Sequence, residues 1–163
     1  MNIEFIIGLI TVAISAIGGI SAFLYRRRVD DVARKRLTCA EALSTLLDWL
    51  EMPYRIRRRP AGNDETRSKL TESMHNLQAR INFYRAWLQV ESPQVAHKYE
   101  ALHQAVKTVA APAIQQAWEQ SGISQDAEMN IGSLGKFDIE KPQDDFLKAV
   151  RDEIKVWRIS RRR

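Results

Sequence analysis

A tyrosine and four arginines occupy Tyr54-Arg55-Ile56-Arg57-Arg58-Arg59, a run of six residues. Guanidinium forks match pairs of phosphate oxygens and a phenol offers a stacking face, so the run is a candidate site for a nucleotide or nucleic acid. The competing use is internal. Glu119, Asp126, Glu128, Asp138, Glu140, Asp144 and Asp145 lie on and beside a later loop, and pairing with them, within or between subunits, accounts equally well for the arginines.

Other chemistries find no pattern. His75, His97, His103 and the single Cys39 show neither an i, i+4 pair nor C-x-x-C, so no metal is expected. The segment Gly132-Ser133-Leu134-Gly135-Lys136 has part of a phosphate-binding loop, but Asn130 stands at its first glycine, Phe137 replaces its Ser or Thr, and no buried strand precedes it. No Arg stands four to six residues before a His, as it would in one family of helical defence nucleases. The paired carboxylates Asp30-Asp31 and Asp144-Asp145 sit beside basic residues or at a helix start, where surface and dipole contacts explain them. These residues point to no enzyme and no cofactor.

The positioning elements are helical. Seven Gly and five Pro in 163 residues are few for a β-rich or disordered chain, and one Cys excludes an internal disulfide and suits a reducing compartment. The net charge of +5 favours anionic partners. From Ile3 to Tyr25 the one ionisable residue is Glu4, and the run is long enough for a bilayer core of about 30 Å. It lacks a positive leader and a small-residue cleavage site, so it reads as a span and not as a signal peptide. Arg26, Arg27 and Arg28, then Arg34, Lys35 and Arg36, follow it, which places the N-terminus outside and the body in the cytosol, at the cell inner or plasma membrane. Gly8, Thr11, Ser15, Gly18 and Ala22 recur at steps of three and four, a stripe of small residues expected to bring copies together in the membrane.

Beyond the span, Ala33, Leu37, Ala40, Leu43, Leu47 and Leu50 keep helical spacing up to Pro53, so the membrane helix is expected to run on. Tyr54 to Glu65 reads as a polar connection. Leu70, Met74, Leu77, Ile81, Tyr84 and Leu88 form a heptad-like seam. Ser92-Pro93 caps and opens a third helix with Val95, Tyr99, Leu102, Val106, Val109 and Ala113 inward; Pro112 should kink it and Gly122 end it. A long loop to Lys141 precedes a fourth helix opened by Pro142, with Phe146, Leu147, Val150, Ile154 and Trp157 on one face. Trp49, Trp87, Trp118 and Trp157, one per helix, are expected mostly to fill the core.

The expected fold is all-α: an N-terminal transmembrane helix followed by a cytosolic antiparallel bundle of about four helices. Residues 1–28 form the anchor and its basic flank, and residues 29–163 the helical domain. Up-down connectivity returns Arg161, Arg162 and Arg163 to the lipid headgroups beside Arg26, Arg27 and Arg28, and leaves the arginine run far from them. The expected function is a self-associating membrane protein whose cytosolic domain is a scaffold or sensor. Its partners are lipid, further copies and a partner protein. In architecture alone it resembles small bacterial membrane effectors of antiviral defence, in which an oligomerised span permeabilises the inner membrane. The alternative is a membrane-tethered binder of nucleic acid or nucleotide through Tyr54, Arg55, Arg57, Arg58 and Arg59.

Overall fold

The computed structural model describes the backbone of residues 3–125 and 137–159 and the side chains of residues 22–27, 29–125 and 137–155. Four helices account for most of them: α1 (Ile3–Arg57), α2 (Asp64–Glu91), α3 (Pro93–Glu119) and α4 (Glu140–Ile159). The chain divides into two units, Met1–Leu37 and Thr38–Arg163. Among the described residues no helix is long and apolar enough to cross a membrane. The expected span lies almost wholly outside the described side chains, with Gly8, Thr11, Ser15 and Gly18, and so do Arg28, Trp157, Arg161, Arg162 and Arg163. In the first unit, Ala22, Phe23, Leu24, Tyr25, Arg26, Arg27 and Val29 are exposed.

The second unit is a bundle of the last turns of α1 with α2, α3 and α4. Contacts between levels give the directions. Glu41 accepts a hydrogen bond from the Tyr84 hydroxyl and Arg55 donates to Ser73, so α2 runs against α1. Tyr99 donates to the Ala42 carbonyl and Trp49 stacks on His103, so α3 runs with α1. On α4, Phe146 meets Tyr99 while Phe137, nine residues earlier, meets Tyr54, so α4 runs back.

The seam expected on α2 is the buried one at Leu70, Leu77, Ile81, Tyr84 and Leu88, with Met74 half-buried. On α3, Val95, Tyr99, Leu102, Val106 and Ala113 are buried as expected, joined by Ala96, Ala110, Ile114 and Ala117; Val109 is half-buried. On α4, Phe146, Val150 and Ile154 face inward, and Leu147 is half-buried. Ser92 joins α2 to α3 with no residue to spare. Its N–H donates to the Leu88 carbonyl, ending one helix, and its hydroxyl accepts from the Val95 N–H, starting the next.

The first bundle helix differs from expectation. Its inward face is Cys39, Ala42, Thr45, Leu46, Trp49, Met52 and Ile56, while Leu37, Ala40 and Leu47 are exposed; of the expected stripe only Leu50 is buried. Both stripes are apolar at helical spacing, and the one carrying Trp, Met and Ile buries more area. The same burial carries α1 past Pro53, which is itself fully buried, to Arg57. The lost hydrogen bond of the proline is outweighed by the packing of Met52 and Ile56. The expected connection of Tyr54 to Glu65 therefore shortens to residues 58–63. α3 ends at Glu119 and not at Gly122, and α4 starts two residues before Pro142. Trp49 is in the core, but Trp87 and Trp118 are half-buried.

Adjacent leucines separate the two stripes experimentally. Leu46→Ala should cost about 2–5 kcal/mol in urea unfolding of the full chain, whereas Leu47→Ala should cost under about 1 kcal/mol. A larger loss from Leu47→Ala than from Leu46→Ala would mean that the other stripe faces the core.

Candidate functional site

The arginine run is not one loop. Tyr54, Arg55 and Arg57 belong to the last turn of α1, where helical geometry sends them in different directions. Tyr54 and Arg58 line a groove with Leu47, Leu50 and Phe137, and the Tyr54 and Phe137 rings meet edge to face at 6.3 Å. Arg55 lines a second groove, between α1 and α2, with Asp48, Ser73 and Arg80; its Nη1 lies 3.5 Å from the Ser73 hydroxyl. Ile56, in the middle of the run, is fully buried.

Arg59 is committed to structure. Its Nη1 donates to the carbonyls of Ile56 at 2.8 Å and Ala117 at 3.0 Å, and its Nη2 to Trp118 at 3.4 Å and to Gln120. Ala117 and Trp118 are among the last residues of α3, whose carbonyls have no partner within the helix. A cation there satisfies them and complements the negative end of the helix dipole. The guanidinium also sits over the Trp118 ring, 5.0 Å from its centroid, and Arg67 from the first turn of α2 sits 5.6 Å from the same ring. Desolvation, then the charges of Arg67 and Arg57, hold the Arg59 pKa below its ordinary value. Arg59 and Arg67 therefore meet at Trp118, with the charge of Arg57 acting on Arg59.

The backbone around this cluster is clamped. The Ala61 N–H donates to the Ile123 carbonyl at 3.0 Å and the Ile123 N–H to the Arg59 carbonyl at 2.8 Å, a short parallel bridge. The bridge requires close approach at Gly122, where a Cβ would stand 2.8 Å from the Ala61 nitrogen and the Arg59 oxygen. Gly122 thus serves this contact and not the end of α3. Gly62 turns the chain at φ +68°, and Asn63 caps α2 by accepting from the Thr66 N–H at 2.9 Å.

Sequence reasoning missed Arg67 and Trp118, which stand 8 and 59 residues from Arg59, and no local signal joins them. Among the described residues no carboxylate lies within 4.0 Å of Arg57, Arg58, Arg59 or Arg67. Asp126, Glu128 and the Gly132–Lys136 segment lie outside the described residues. Among those described, no three His, Cys, Asp or Glu residues group to hold a metal.

A second titratable feature lies inside the bundle. His103 is 8% exposed, stacks on Trp49 at 5.8 Å, and its Nδ1 is buried without a hydrogen-bond partner, 3.6 Å from a Glu100 oxygen. Burial lowers its pKa against the opposing pull of Glu100. Compared with known protein families, curated proteins and solved structures, the chain shows no match.

Two outcomes follow from this geometry. Arg59→Gln should lower stability by about 1–3 kcal/mol because it strips charged donors from the end of α3, while Arg58→Gln should change it little; urea unfolding reads both. For His103 the unfolded chain binds more protons than the folded one between the lowered pKa and about 6.5, so stability is full above that range and falls as pH drops through it. His103→Leu should flatten the dependence of melting temperature on pH below about 6.5. An unchanged slope would show that His103 is not the group responsible.

Proposed function

We propose that the chain is a single-pass, self-associating membrane protein whose helical body acts as a scaffold or sensor coupled to the membrane. The observation that carries this is the uncharged run from residue 5 to residue 25 followed at once by Arg26, Arg27 and Arg28, a pattern that anchors a helix and retains its C-terminal side in the cytosol. The continuity of α1 supports the coupling: the helix that contains the run also supplies Leu46, Trp49, Met52 and Ile56 to the bundle core, with no Gly or Pro between Tyr25 and Met52. Arg26, Arg27, Arg28, Arg161, Arg162 and Arg163 would meet anionic headgroups. Gly8, Thr11, Ser15, Gly18 and Ala22 would allow the close helix approach that drives association in lipid. A membrane-permeabilising effector is the more specific form of this reading.

Reporter fusions at each end, with carbonate extraction of membranes, test the anchor. Activity of a periplasm-only reporter at the C-terminus, or release of the full chain by carbonate, would overturn it. Gly18→Leu and Ser15→Leu should shorten the crosslinking ladder in membranes and Ile14→Leu should not, since only the first two put a bulky side chain into the small-residue stripe and hold the backbones apart. Dye leakage on induced expression separates the effector form from a scaffold, which leaks nothing.

A further inference from the structure

We infer that the distal end of the bundle carries a binding site for a phosphate-bearing small ligand, formed by Arg57 and Arg67 beside Trp118 and held in place by Arg59. This goes beyond the membrane reading and does not depend on it. Two guanidiniums share one indole, at 5.0 Å for Arg59 and 5.6 Å for Arg67, and Arg57 is close enough to act on Arg59 electrostatically. Like charges gathered at one point repel, and among the described residues no carboxylate is within ion-pair distance to offset them. A bound polyanion would supply that charge.

The members of the cluster have different roles. Arg59 is already engaged by the carbonyls of Ile56, Ala117, Trp118 and Gln120, so its donors are occupied and it acts as a positioning residue. The guanidiniums of Arg57 and Arg67 make no hydrogen bond to a protein acceptor among the described residues, which leaves ten N–H donors on two side chains from two helices. Two forks of that kind suit a group with several anionic oxygens spread over more than one phosphorus better than a single carboxylate, which one fork saturates. The clamp of Ala61 to Ile123, the close approach at Gly122 and the Asn63 cap fix the backbone between the two arginines before any ligand arrives. Preorganisation of this sort lowers the entropic cost of binding.

The test is calorimetric titration of the full chain in neutral detergent with inorganic pyrophosphate. Pyrophosphate should bind at low salt and weaken as salt rises. Arg67→Gln and Arg57→Gln should each reduce affinity by about tenfold or more without moving the melting temperature. Arg58→Gln, on the side of Tyr54 and Phe137, should leave affinity within about threefold. Arg67 is exposed on α2, so its variant stays informative if the Arg57 variant misfolds. Absence of pyrophosphate binding, or equal losses from Arg58→Gln and Arg67→Gln, would overturn the site. A parallel titration with vesicles of neutral lipid containing anionic phospholipid separates the two sources of phosphate: Arg67-dependent binding of vesicles without binding of pyrophosphate would overturn the assignment to a free ligand. Carbonate extraction is unaffected by any of these variants, so loss of this site and loss of the membrane anchor are read separately.

Discussion

Helix α3 buries one broad face against three other helices at once, and the bundle is arranged around that demand. Its buried residues run from Val95 to Ala117, and Ala96, Ala110, Ala113 and Ala117 among them keep the helix thin enough for neighbours to approach closely. Tyr99 sets the arrangement at one level. Its ring packs against Phe146 of α4 and its hydroxyl must find an acceptor once buried, which it does at the Ala42 carbonyl of α1. Burial also raises the Tyr99 pKa, so the hydroxyl stays a donor. One side chain therefore ties α1, α3 and α4 together.

The ends of α3 pose a different problem, because backbone groups there have no partner within the helix. At the start, Ser92 supplies a hydroxyl. At the finish no residue of α3 supplies a donor, and Arg59 reaches in from the end of α1. This use of Arg59 divides an apparently uniform basic run into a structural residue and residues left for other work. The stacking of Arg67 on Trp118 then gathers at the distal end charge that the sequence scatters over two helices.

What could be read in the sequence was whatever depends on neighbours one or two turns away. The seams of α2 and α3 followed from spacing, and the Ser92-Pro93 boundary from capping chemistry. The α1 face did not, because Leu46 and Leu47 both sit on apolar stripes and periodicity cannot choose between them; the choice is made by what Trp49, Met52 and Ile56 bury against other helices. Pro53 misled for a related reason, since its cost is local and the packing that offsets it is not. The distal cluster was half legible: the arginines were visible as a run, but their division, and the parts played by Trp118, Arg67 and Gly122, arise from contacts across about sixty positions.

The junction at Ser92 constrains how this chain can change in length. One residue ends α2 and begins α3, so an added residue there would turn the whole of α3 by about 100° about its axis. That rotation would bring Lys98 and Ala101 to the positions now held by Tyr99 and Leu102 and carry the alanine face away from its neighbours. Insertions and deletions in related chains should therefore be absent at this point and gather in connections that leave helical phase untouched.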